Sequence, residues 1–223
     1  MTTVDQQPTA STPARSWTRR RTDLGEHVAR TVGALQARLF RDATQPEAAS
    51  ALARLRRGMG RPPGFDFTLE RYLQVPDHLL GRRPDDDAQP ADTEQAVHDA
   101  VTLYALHQQS RRERMHVDGR GLGRSLADLV RVSGGPEGVR RRFAALGTAS
   151  TYHESIYHLR SLITMLREHQ IPLDYGLLAD DLRTLLRPGG QARIQAVWGR
   201  EFFRTRPATN ADASTDTSEE NLS

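Results

Sequence analysis

The stretch Glu94-Gln-Ala-Val-His-Asp-Ala-Val-Thr-Leu-Tyr-Ala-Leu-His-Gln-Gln109 decides the fold. Its apolar residues Val97, Val101, Leu103, Tyr104 and Leu106 fall on more than one side of a helix, the pattern of a helix enclosed by neighbours. The sequence around it supplies those neighbours as further helices, with no convincing run of apolar-polar alternation. Upstream, Leu24, Val28, Val32, Leu35 and Leu39 form one stripe behind a Thr22 or Asp23 cap. Ala48, Leu52, Leu55 and Met59 form the next, which stops at Gly58, Gly60 and Pro62-Pro63. A shorter helix is expected over Phe67 to Leu73.

Downstream, Leu126 to Val132 reads as a short helix, broken by Gly134-Gly135-Pro136. The helix that follows shows Val139, Phe143 and Leu146. Thr151 and Glu154 give a capping-box signature for a long helix with the stripe Tyr152, Ile156, Leu159, Ile163 and Leu166. Pro172 and Asp174 open a helix with Leu178, Leu182 and Leu185, and the last runs through Ile194, Trp198 and Phe202. The expectation is an all-α bundle of about eight helices over residues 19–206. Gly119, Gly121 and Gly123 read as a hinge, which allows two lobes, 19–118 and 119–206. Residues 1–18 and 207–223 are polar tails without an apolar face and are expected to be disordered. Residues 81–92, with Gly81, two prolines and four aspartates, are expected to be a solvated loop.

The 223 residues include no cysteine, which removes disulfides, thiolate metal sites and cysteine nucleophiles together. No stretch approaches the roughly 18 apolar residues of a membrane span, and Met1 to Trp17 has no apolar run of a signal peptide. A cytoplasmic protein with no membrane partner is expected. The net charge of +3 hides an uneven distribution. Residues 19–206 hold 30 arginines against 23 acids, while Asp212, Asp216, Glu219 and Glu220 lie beyond them. Every basic residue is arginine; codon bias toward GC-rich DNA produces the same replacement of lysine, so that alone does not argue for phosphate recognition.

Catalytic constellations are not found. His153 and His158 are five residues apart, about 140° around a helix of 3.6 residues per turn, so they cannot share an ion without a third element. Asp180 and Asp181 face different directions and are expected to be surface acids. Gly119-Arg120-Gly121-Leu122-Gly123 imitates a phosphate loop, but no strand precedes it and no Gly-Lys-Ser/Thr follows. No Gly-x-Ser-x-Gly motif is present. The expectation is therefore no enzyme, no metal and no cofactor.

The arginines carry the functional signal. On the helix of Leu52, Leu55 and Met59, Arg57 points outward and Arg54 and Arg56 flank the apolar edge. On the helix of Val139, Phe143 and Leu146, Arg141 points outward while Arg140 and Arg142 flank it. Arg160 and Arg167 share one side of the long helix. With Arg61 and Arg124 in turns or on helix edges, the candidate nucleic-acid contacts are Arg56, Arg57, Arg61, Arg124, Arg140, Arg141, Arg142 and Arg160. Surplus positive charge with few exposed aromatics favours grip on a phosphate backbone over base stacking. One alternative is a helix-turn-helix regulator, in which Leu126 to Val132, the Gly134-Gly135-Pro136 turn and Arg140 to Arg142 form the DNA-reading unit.

The segment Ala53-Arg54-Leu55-Arg56-Arg57-Gly58-Met59-Gly60-Arg61-Pro62 resembles the Leu-Arg-Arg-Gly segment of the small subunit of the type I-E CRISPR Cascade complex, the CasB family. Further similarities follow in order: Leu103 to Gln109, Gly123 to Leu126, Arg141 to Phe143 with Leu146, and Leu159 to Leu162. Ile171 to Tyr175 with Asp181-Leu182, and Trp198 to Phe203, complete them, so that the resemblance spans about residues 22–204. It implies an all-helical, non-catalytic subunit, present as a second copy beside the first in an RNA-guided surveillance complex. Its partners would be the other Cascade subunits, CRISPR RNA and target DNA, including the displaced single strand of the R-loop. The acidic loop at Asp85 to Asp87 and both tails depart from the family pattern.

Overall fold

The structure, a computed structural model, describes residues 19–80 and 89–204. The expected tails and most of the expected acidic loop fall outside them. The described residues form ten α-helices: α1 (Asp23–Leu39), α2 (Gln45–Arg57), α3 (Glu70–Leu73), α4 (Asp77–Leu80) and α5 (Pro90–His107), then α6 (Leu122–Val132), α7 (Pro136–Thr148), α8 (Tyr152–Glu168), α9 (Tyr175–Leu185) and α10 (Gly190–Arg204). A 3-10 turn, Phe67–Leu69, leads into α3. Among the described residues there is no strand, and His116 and Leu173 form an isolated bridge. The all-α expectation is met. Its count is short by the small helices, and α5 begins at Pro90, because proline suits a first helical position and the Asp92 carboxylate accepts from the Gln89 N–H at 3.2 Å.

Helix α5 is the axis of the fold. Ala96, Val97, Ala100, Val101, Leu103, Tyr104 and Ala105 are buried against α1, α2, α3, α8 and α9. Burial on all sides forces its polar residues to find protein partners. Asp99 accepts from the Tyr152 hydroxyl at 2.7 Å and the Gln95 amide at 2.8 Å. The His98 ring meets the Gly58 carbonyl at 3.0 Å, and His107 Nδ1 meets the Tyr175 hydroxyl at 2.9 Å. In α8 the capping signature is realised in part: Thr151 accepts from the Glu154 N–H at 3.1 Å, while the Glu154 carboxylate takes the Ser150 N–H at 2.8 Å.

The segments before and after Gly119 share one apolar core, since α1 and α5 both pack on α9. Gly119 turns with φ +74°, a conformation that favours glycine, and its N–H donates to Asp174 at 2.7 Å. Gly123 is required for a different reason. A Cβ there would stand 2.1 Å from the Trp198 carbonyl, so its absence lets α6 lie directly on α10.

Asp180 and Asp181, expected as surface acids, are buried. The reason is the chain entering α1. Arg19 pairs with Asp181 and, at 3.1 Å, with Glu201. Trp198 Nε1 donates to Asp181 at 2.7 Å, and the Thr22 N–H donates to Asp180 at 2.8 Å. Arg21 pairs with Asp174 at 2.7 Å, and that carboxylate also caps α9 through the Gly176 and Leu177 N–H groups. Burial pushes the Asp181 carboxyl up to about 6, although Arg19 and the Trp198 N–H favour its charged form. These contacts clasp the two ends of the described chain together.

Candidate nucleic-acid interface

The last turn of α2 contains Arg54, Arg56 and Arg57, a favourable place for cations at the negative end of a helix dipole. Arg54 is used internally, bonded to Asp66 at 2.9 Å. Arg57 is exposed and Arg56 is half-buried in the wall of a groove of about 730 Å³. Leu39, Phe40 and Asp42 from the end of α1 form one side, and Gln108 to Arg112 beyond α5 form another.

Gln108 builds the second side. It is buried, its amide N–H groups donate to the carbonyls of Arg111 and Glu113 at 3.1 and 2.9 Å, and its oxygen accepts from the Met115 N–H at 3.1 Å. With Ser110 in the left-handed region at φ +56°, this folds the chain back so that Arg111 and Arg112 line the groove beside Arg56. Arg167 of α8 is bonded to Gln109 at 3.0 Å. Burial, then the positive charges of Arg167 and Arg57, hold the Arg56 guanidinium below its ordinary value. Among the described residues no ion pair reaches Arg56, Arg57, Arg111, Arg112 or Arg167. Asp42 is the one acid in the groove lining, against three arginines. Such an excess of like charge is costly, and an anion in the groove relieves that cost.

The structure brings Arg56 and Arg57 together with Arg111, Arg112 and Arg167, three arginines absent from the candidates chosen on sequence. The signal for Arg111 and Arg112 was available: two adjacent arginines directly follow the central helix. The remaining candidates are separate from the groove lining. Arg61 is exposed in the turn after α2 and lines a depression of about 420 Å³ with Asp99, Tyr152 and His153. Arg124 is exposed on α6 and Arg160 on α8. On α7, Arg140, Arg141 and Arg142 are all exposed; Arg140 pairs with Glu137 at 2.5 Å and Arg142 donates to the Gly138 carbonyl at 3.1 Å. The expectation of few exposed aromatics needs correction: Phe67, Tyr157 and Phe203 are 83%, 69% and 81% exposed, because each lies off its helix's buried stripe. Among the described residues no group of three His, Asp or Glu side chains is placed to hold a metal. No helix among them is long and apolar enough to cross a membrane.

The helical frame and its arginine-lined groove describe a basic, all-α protein. The family profile of CRISPR-associated protein Cse2 matches residues 51–203, more than half of the chain, and the chain belongs to that family, also called CasB, of the type I-E CRISPR Cascade complex. Among solved structures it is similar to CasB from Thermobifida fusca, with 38% identity and a TM-score of 0.66 over 82% of this chain and 99% of that one. No curated protein matches it. Family membership makes other Cascade subunits its partners and gives it a structural place in the complex. It also displaces the helix-turn-helix regulator as a reading of α6 and α7.

Proposed function

We propose that this chain is a non-catalytic, cytoplasmic subunit that holds nucleic acid by its phosphates within Cascade, gripping guide RNA, target DNA and the displaced strand of the R-loop, with a second copy beside it. The observation that carries the reading is the groove of Arg56, Arg111 and Arg112, backed by Arg57 and Arg167, where the arginines outnumber the single lining acid, Asp42, and none is held in a described ion pair. Guanidinium groups match phosphate oxygens bidentately, and such contacts are indifferent to base identity. Sequence is read by pairing with the guide, so the protein needs only backbone grip.

The test is R-loop formation by the reconstituted complex carrying Arg111→Glu and Arg112→Glu. Both lie outside the buried core, so assembly is expected to be normal. The proposal requires weakened R-loops with unchanged choice of target; full-strength R-loops from a fully assembled variant complex contradict it.

A further inference from the structure

The ring of Tyr157 lies on the solvent side of α8, 69% exposed, while Ile156 beside it is buried. It is not loosely placed. The His158 ring meets it edge to face with centroids 5.4 Å apart, His158 reaches Glu154 at 3.8 Å, and Glu154 is fixed by the Ser150 N–H. One turn onward, Arg160 is exposed with no ion pair among the described residues. Residues three apart on a helix have Cβ atoms about 5–6 Å apart, so ring and guanidinium can act on one ligand.

The neighbours of Tyr157 on this face are His153, Glu154, Arg160, Ser161 and Thr164, with Glu154 engaged by Ser150 and His158, and no large aliphatic side chain is exposed on α8. An apolar protein interface would need a patch, which this face lacks. A lone aromatic plane beside an unpaired guanidinium suits a nucleotide whose base is unstacked. We propose that Tyr157 is a stacking platform for a base of a single strand, with Arg160 holding an adjacent phosphate. This deepens the nucleic-acid reading above, on which it rests, by selecting single strand over duplex at this place: paired bases in a duplex present no free face to the ring.

The experiment uses the full chain, a 12-nucleotide oligothymidylate and an abasic 12-mer with the same number of phosphates, at about 50 mM salt where phosphate contacts are strong. The wild type is expected to bind oligothymidylate about tenfold more tightly than the abasic strand. Tyr157→Ala is expected to abolish that preference, and Tyr157→Phe to keep it. Equal binding of both strands by the wild type overturns the stacking role while leaving backbone grip intact; binding of neither defeats the nucleic-acid reading as well. A Tyr157→Ala protein that keeps the preference also overturns the proposal. So does one that binds both strands like the wild type but fails to enter the complex, because Tyr157 would then be a protein contact.

Discussion

The clasp at Arg19 and Arg21 and the groove at Arg56, Arg111 and Arg112 are made from the same side chain and do opposite things. In the clasp each guanidinium is largely enclosed and meets buried carboxylates, Asp181 and Glu201 for one and Asp174 for the other. In the groove the guanidinium groups crowd one another, and burial with like charge destabilises the charged form of Arg56. The difference teaches that arginine count predicts little; what matters is whether the fold delivers an acid to each arginine. The clasp satisfies its charges within the chain and stabilises the fold, whereas the groove leaves its charges for a ligand.

The largest expected effect follows from breaking the clasp. Asp181→Ala leaves the buried Trp198 N–H without its acceptor and Arg19 with Glu201 alone, so it is expected to cost about 3 kcal/mol, or roughly 10 °C in a thermal melt. Groove substitutions such as Arg57→Ala are expected to leave the melt within about 2 °C, since surface changes usually fall within ±0.5 kcal/mol. Comparable losses at both places would erase the distinction.

Next comes binding. Charge reversal at Arg111 is expected to weaken single-strand affinity severalfold more than reversal at Arg140, which already has Glu137 as a partner. Titrations of the two variants side by side sharpen the comparison; equal losses would mean that exposure alone decides.

The pH dependence of stability is expected to be smaller and to run in two directions. Burial holds His107 down at about 3, so the folded protein keeps it neutral while the unfolded chain takes up a proton near pH 6.5. Its contribution is present above that pH and is lost as pH falls, by at most about 1.4 kcal/mol per pH unit. Asp181, raised to about 6, works oppositely: the folded state keeps a proton that the unfolded state releases near pH 4, and that contribution is lost as pH rises through 6. Melts of His107→Gln between pH 4 and 6.5 should therefore fall less steeply than wild type, and the penalty of Asp181→Asn should be larger at pH 4.5 than at pH 7. Parallel pH curves for wild type and variants would contradict both assignments.

How much of this could be read beforehand depends on sequence distance. The enclosure of α5 was legible because Val97, Val101, Leu103, Tyr104 and Leu106 lie within ten residues and surround one axis. Asp174 as the opening of α9 was legible for the same local reason, since it caps Gly176 and Leu177. The burial of Asp180 and Asp181 was not, because their partners Thr22 and Arg19 are 158 and 162 residues away. Gly123 looked like part of a hinge, and its real constraint, the Trp198 carbonyl, comes from a distant helix. Arg56 and Arg57 were found from the helix wheel. Arg111 and Arg112 are visible as an adjacent pair beyond the central helix, but their approach to α2 depends on the Gln108 hydrogen bonds that fold the chain back. Arg167 was placed on the wheel of the long helix without any local sign that it lies near Arg56.

The most direct test of the central claim is the salt dependence of single-strand binding by the full chain, wild type against Arg56→Glu with Arg111→Glu. With four phosphate contacts in the groove, the wild type should lose roughly 50-fold in affinity between 50 and 200 mM salt, a log-log slope near −2.8. The double variant, melting at the wild-type temperature, should show a slope near −1.4 or shallower and weaker binding at low salt. An unchanged slope and unchanged affinity in that stable variant would show that the groove arginines do not hold phosphate.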